Sequence, residues 1–134
     1  MLELKAFLVE DSPLLQAELI ATLEELLPLR VLGVADSEAS ALRWLAQPGH
    51  AVDLILIDIF LKGGSGLGLL RAVQRLPPPA LPRRLVVLSN YATPDIRRSC
   101  LELGADRIFD KSGEIDALIV YLRSLVPVAV PLTD

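Results

Sequence analysis

The sequence predicts an α/β fold, a parallel sheet with helices on both faces. Three observations lead there. Short runs of branched aliphatic residues alternate along the chain with segments of helical pattern. The 134 residues are 52% apolar, enough for one domain whose sheet is covered on both faces and too short a chain for two ordinary domains. Helix punctuation falls between the runs, with hydroxyl–proline pairs before helices and glycine or proline after them.

Leu4–Val9 reads as the first strand, and Ser12–Pro13 supplies an N-cap and first helical residue for a helix reaching Leu27. Arg30–Ala35 is the second strand, and Glu38–Ala46 a short helix ended by Pro48–Gly49. Val52–Ile59, rich in isoleucine and leucine between turn signals, is the third strand. A helix over Leu67–Leu76 stops at Pro77–Pro78–Pro79. Arg84–Leu88 is the fourth strand, and Thr93–Pro94 caps a helix that runs to Leu103 and ends at Gly104. Arg107–Phe109 is a brief fifth strand, and Glu114–Leu125 the last helix.

Five strands alternating with five helices make a (βα)5 three-layer sandwich. Right-handed crossovers leave few topologies, and the flavodoxin-like strand order 2-1-3-4-5 is the commonest for this count. The domain spans residues 1–125, leaving 126–134, VPVAVPLTD, as a tail. Pro127 and Pro131 argue against a continued helix or a central strand there, so it is either an extended arm or the start of a linker.

Several function classes drop out. No run of about 18 apolar residues is present to span a membrane. The start, MLELKAFLVED, lacks the features of a signal peptide. The single cysteine, Cys100, forms no intrachain disulfide, which fits a reducing cytoplasm. A net charge of −4 argues against direct nucleic-acid binding, and Arg83–Arg84 and Arg97–Arg98 read as solvated element ends. His50, after Pro48–Gly49, has no partner at metal-ligand or triad spacing and reads as a surface-loop residue.

The stretch DIFLKGGSGLGLL, Asp58 to Leu70, has the outline of a phosphate-cradling loop. It fails both motifs. Gly64 and Gly66 begin a dinucleotide fingerprint, but Leu69 stands at its third glycine. Gly63 and Gly68 have P-loop spacing, but Leu69–Leu70 follow where lysine and a hydroxyl are required. The glycines are better read as permitting positive φ and letting a helix start close to a strand end.

The chemistry lies at the carboxyl ends of the strands, where ligands of such sheets sit. Strand 1 ends in Glu10–Asp11, strand 3 in Asp58, strand 4 in Ser89 and strand 5 in Asp110–Lys111. The strand order brings these together. Crowded carboxylates repel unless a divalent cation neutralises them, and Mg²⁺ suits one or two carboxylates plus phosphate oxygens. An aspartate is also a nucleophile toward phosphorus, with a cation, a lysine and a hydroxyl to stabilise the transferring group. A lone acidic residue after a strand more often caps the next helix, as Asp11 would ahead of Pro13; the set at four strand ends is harder to dismiss.

The segments VEDSP, LILIDIFLKGGSGLGLL, VVLSNYA and GADRIFDKS, in this order, resemble the receiver domain of two-component response regulators. The resemblance runs to about Leu125. It implies that Asp58 is the phosphoacceptor and that Glu10, Asp11, Asp58 and the backbone carbonyl of Phe60 hold Mg²⁺. It makes Ser89 the switch hydroxyl and Lys111 the partner of the phosphoryl group. The implied phosphodonor is a histidine kinase or a phosphotransfer protein, and the output is protein contact or a further domain of a longer regulator. The usual contact face of such domains, helix 4, strand 5 and helix 5, carries Arg97, Arg98, Arg107 and Tyr121 here, and a homodimer is compatible with it.

The chain departs from the family pattern in places. Ser112 stands where a proline often follows the lysine, and we expect it to cap the last helix. Lys62 replaces another common proline. The switch aromatic expected three residues before the lysine is Ile108, and Phe109 beside it should face the other side of the sheet. Phe60 and Tyr91 flank the expected phosphoryl group, either slowing its hydrolysis or merely packing over helices. Two rivals remain: a receiver-like interaction module that works without phosphorylation, and a magnesium-dependent phosphatase with an aspartyl nucleophile. The phosphatase wants a second aspartate where Phe60 stands, and the module usually lacks an acid or the lysine kept here.

Overall fold

The computed structural model describes residues 3–61, 63–76, 83–90 and 92–126. Strands β1 (Leu4–Val9), β2 (Leu29–Ala35), β3 (Leu54–Asp58), β4 (Arg84–Ser89) and β5 (Arg107–Asp110) form one sheet in the order β2-β1-β3-β4-β5. All neighbouring strands are parallel. Helices α1 (Pro13–Leu26), α2 (Glu38–Leu45), α3 (Gly66–Val73), α4 (Pro94–Glu102) and α5 (Ile115–Leu125) make the crossovers. This is the flavodoxin-like sandwich that the alternating pattern predicts.

The two-residue period of the strands sorts the core into two layers. Phe7, Val9, Ile55, Ile57, Val87 and Ile108 face α2, α3 and α4. Ala6, Leu8, Leu54, Leu56, Leu88 and Phe109 face α1 and α5. Central strand β3 is buried at every position, while edge strand β2 alternates between buried and open positions. That difference is what burial on two faces, against burial with one open edge, demands. Ile108 and Phe109 therefore do lie on opposite faces, as expected.

Edge strand β2 shifts register against β1 between Ala6 and Phe7. Gly33 lies there because the Trp44 indole occupies the space of a side chain: an added Cβ would meet its ring at 2.6 Å. Trp44 stacks on Phe7 with centroids 4.2 Å apart, and His50 stacks on its other side at 4.1 Å. His50 Nδ1 also lies 2.8 Å from the Trp44 carbonyl oxygen, so the loop histidine is a packing residue with a partner.

Three elements, α3, β3 and α5, differ most from the sequence reading, and several others differ by one residue at an end. Helix α3 begins at Gly66 and stops at Val73 rather than Leu76, because Arg75 and Leu76 donate to Ala72 and Val73 in tighter three-residue turns. Strand β3 is shorter than Val52–Ile59 at both ends. Ser112 does not cap α5. Its amide and hydroxyl both donate to the Asp110 carboxylate, and the helix starts after Glu114. Pro77–Pro79 and the tail from Pro127 lie outside the described residues.

The glycines after β3 serve the backbone. Gly64 adopts φ +89°, a left-handed value that favours glycine. Gly66 opens α3 so close to the strand end that a Cβ would lie 2.5 Å from Ile59 Cα and 2.6 Å from the Asp58 carbonyl oxygen. Backbone on both sides cannot yield cheaply. Gly66→Ala is therefore expected to destabilise the fold by about 1–3 kcal/mol in urea unfolding, as overpacking does. Gly113→Ala, whose Cβ meets nothing within 4 Å, should stay within about 0.5 kcal/mol.

Candidate functional site

Parallel register lines up the carboxyl ends of the strands. Val9 pairs with Ile57, Asp58 with Leu88, and Ser89 with Asp110. Glu10 follows Val9 at the same level as Asp58, and the Lys111 amide donates to the Ser89 carbonyl at 2.8 Å. Residues more than a hundred positions apart thus meet on one edge because four strands end together.

Glu10, Asp58 and Ser89 are the buried polar side chains among the described residues, at 1%, 7% and 0% exposure. Lys111 Nζ lies 2.6 Å from Glu10 Oε1 and 3.2 Å from Asp58 Oδ2. The other oxygens are engaged too: Glu10 Oε2 accepts the Ser12 amide at 3.2 Å, and Asp58 Oδ1 accepts the Phe60 amide at 3.1 Å. One carboxylate oxygen from each of Glu10, Asp11 and Asp58 lies within 4.8 Å of the others.

Three carboxylates against one ammonium leave this edge negative. Burial pushes the Glu10 carboxyl above its ordinary pKa, and the charge of Asp58 adds to that, beyond what Lys111 offsets. At Lys111, burial works to lower the pKa, but the Glu10 hydrogen bond and the charges of Asp58 and Glu10 outweigh it and raise it. The ammonium faced by two carboxylates stays protonated. An all-oxygen donor set with surplus negative charge fits a hard divalent cation, and Glu10, Asp11 and Asp58 could hold one.

The glycine loop carries no part of this set. Ser37 bridges Gly63, the Glu38 amide donates to the Gly63 carbonyl at 3.0 Å, and Glu38 Oε2 accepts the Ser65 amide at 3.2 Å. A Cβ on Gly64 or Gly68 would collide with the Glu38 carboxylate, at 2.5 and 2.7 Å. The glycines make room for a carboxylate of the neighbouring loop. A phosphate cradle would leave that space to a ligand.

Sequence reading passed over Glu38, Glu114 and the role of Arg97. Arg98 is exposed and lies 3.9 Å from Asp95, as a solvated helix residue should. Arg97 is not of that kind: it donates to the Ala92 carbonyl at 3.0 Å, to the Ile108 carbonyl at 3.3 Å and to the Glu114 carboxylate. Asp110, at the end of β5, accepts the Ala92 amide at 3.2 Å and stands outside the acidic cluster. The sole sequence signal for this network is the acid four residues before Glu114, which does not say where either points. Phe60 is 55% exposed at the rim. Tyr91 and Lys62 lie outside the described residues.

A family model for the response regulator receiver domain matches residues 6–123. The chain is 23% identical over 122 residues to Response regulator UvrY of Escherichia coli strain K12, covering 91% of this chain and 54% of that protein. It is 31% identical over 102 residues to Transcriptional regulatory protein MalR of Bacillus subtilis strain 168, covering 76% of this chain and 41% of that protein. The chain thus spans about half the length of the curated relatives it matches. The solved structure of a CheY-like receiver domain from Methylobacillus flagellatus aligns with a TM-score of 0.77 and 26% identity, over 92% of this chain and 98% of that one. Strand order, acidic edge and matched residues agree: the chain belongs to the response regulator receiver domain family.

Proposed function

We propose that this domain accepts a phosphoryl group on Asp58 in a two-component phosphorelay and passes the signal on by a change of conformation. One observation carries the reading: the Asp58 carboxylate, buried at a strand end, lies 3.2 Å from Lys111 and within the cluster it forms with Glu10 and Asp11. The donor is a histidine kinase or a phosphotransfer protein. An Asp58 oxygen attacks phosphorus, the Asp58 O–P bond forms, the donor N–P bond breaks, and the imidazole leaves with its electron pair and takes a proton.

Glu10, Asp11, Asp58 and the Phe60 carbonyl would hold Mg²⁺, which when bound would supply charge neutralisation at the transferring oxygens. Lys111 follows the charge: its ammonium, held by Asp58 and Glu10 at rest, pairs with the phosphoryl oxygens after transfer. Ser89 donates its hydroxyl to the new group from the end of the adjacent strand. The only reactions the domain catalyses are its own phosphorylation and dephosphorylation. Its partners are proteins, met through α4, β5 and α5, where the Arg107 guanidinium lies over the rings of Phe109 and Tyr121 at 5.2 and 4.7 Å. Among the described residues no helix is long and apolar enough to cross a membrane, and the proposed setting is the cytoplasm.

With Mg²⁺ and acetyl phosphate, intact mass is expected to rise by one phosphoryl group. The adduct should vanish in Asp58→Asn and on chelation of the metal. Lys111→Gln should slow transfer by about 10²-fold, the scale for losing one donor to a developing charge. No adduct from any small-molecule donor or phosphohistidine would overturn the reading in favour of a phosphorylation-independent interaction module.

Phe60 and Tyr91, each two residues beyond a site residue, are proposed to restrict the water that hydrolyses the aspartyl phosphate. Exposure of Phe60 at the rim supports this. Phe60→Asn and Tyr91→Glu should each shorten the phosphorylated half-life severalfold in a chase experiment. Unchanged half-lives in both would assign the rings to packing.

A further inference from the structure

Lys111 is held twice, by its ammonium and by its backbone. The ammonium lies 2.6 Å from Glu10 and 3.2 Å from Asp58, two carboxylates that anchor it at rest. The backbone is fixed at the lysine and on both sides of it. The Lys111 amide donates to the Ser89 carbonyl at 2.8 Å. Before it, the Asp110 amide donates to Glu114 Oε1 at 2.9 Å. After it, the Ser112 amide donates to Asp110 Oδ1 at 2.8 Å, and the Ser112 hydroxyl donates to the same oxygen. Asp110 and Ser112 thus close a side-chain turn around the lysine. The hydroxyl and the amide of Ser112, with the Ala92 amide, keep the Asp110 carboxyl below its ordinary pKa, so the acceptor stays charged.

Two features argue that this turn serves Lys111 rather than the helix that follows. Helix α5 starts after Glu114 with no side-chain cap, and the Ser112 hydroxyl is committed to Asp110 instead. The residue after the lysine is also not a proline, whose ring would fix the backbone but which has no amide to donate. Here the amide is present and carries the turn. The consequence appears during transfer. Lysine is a point charge on a flexible stem with rotamer freedom to lose. Once Nζ leaves Glu10 and Asp58 for the phosphoryl oxygens, its resting anchors are gone. Its backbone is then what keeps the ammonium on target, and a small rotation there is magnified along the stem.

We propose that the Asp110–Ser112 turn positions Lys111 for the transferring phosphoryl group, with Ser112 as a positioning residue in the place of a proline ring. This rests on the receiver reading above. The bonds of Ser112 go to Asp110, outside the acidic cluster, so Ser112 acts on the reaction through Lys111 alone. Ser112 is exposed, and exchanging it leaves the core closed. The groups that would hold Mg²⁺ lie at the ends of β1 and β3 and take no part in the turn.

The test follows phosphorylation of the full chain by acetyl phosphate with Mg²⁺, its rate read by intact mass. Ser112→Ala is expected to slow transfer by about 10-fold, within the range that misplacing a catalytic group costs. Ser112→Thr, which keeps the hydroxyl, should restore the rate. In a Lys111→Gln background, Ser112→Ala should cost nothing further, because the two residues act as one unit. Calorimetric Mg²⁺ affinity of Ser112→Ala should match the wild type. A wild-type rate in Ser112→Ala overturns the proposal, as does a threonine variant no faster than the alanine one. An equal loss in both backgrounds, or a loss that tracks weaker Mg²⁺ binding, also overturns it, since either marks a role in the fold rather than in placing Lys111. A wild type that forms no adduct fails the receiver reading itself, and the turn proposal with it.

Discussion

The Lys111 ammonium, 2.6 Å from Glu10 and 3.2 Å from Asp58, is the interaction on which the acidic edge depends. Burying a carboxylate away from water is costly unless it is paired and hydrogen-bonded, and two such groups side by side repel as well. Lysine alone offsets part of this, and burial still pushes the Glu10 carboxyl above its ordinary pKa. The remaining negative charge fits the edge to a hard cation.

The pairing needs the sheet before it needs the side chains. Lys111 reaches Glu10 because β5 lies beside β4, β4 beside β3 and β3 beside β1, all parallel and ending at one level. A helix or loop in place of any of these strands would open the distance. The cores on both faces hold that level: Phe7, Ile55 and Val87 on one side, Leu8, Leu56 and Leu88 on the other. The strands set where the acidic groups stand, and the loops beyond them are held by their own contacts.

Those loops are tied in pairs. The loop after β2 grips the loop after β3 through Ser37, Gly63 and Glu38. The loop after β4 is held to the start of the β5–α5 turn through Ala92, Asp110 and Arg97. The first tie involves glycines with no room for a side chain and is close-packed. The second is built of partly solvated charged groups, with Arg97 and Glu114 both about a third exposed. Polar bonds open to water exchange partners at lower cost than backbone wedged against a carboxylate. On these grounds the second tie is the more easily opened of the two.

The sequence by itself determined the ten elements, their order and the residues of the acidic edge. Strand period, helix caps and strand-end acids are local signals, written within a few residues of where they act. The acids also lie in a motif order that marks the family. What it could not carry was the meaning of groups whose partners are remote. Glu38 reads as a helix-start acid until Ser65, 27 residues on, donates to it. Arg97 reads as solvated until Glu114, 17 residues on, takes its guanidinium. Ser112 looks like an N-cap, yet the Asp110 carboxylate claims its hydroxyl first. The tertiary structure decided these cases because a hydrogen bond depends on which loop lies beside which, and sheet order, rather than local sequence, sets that.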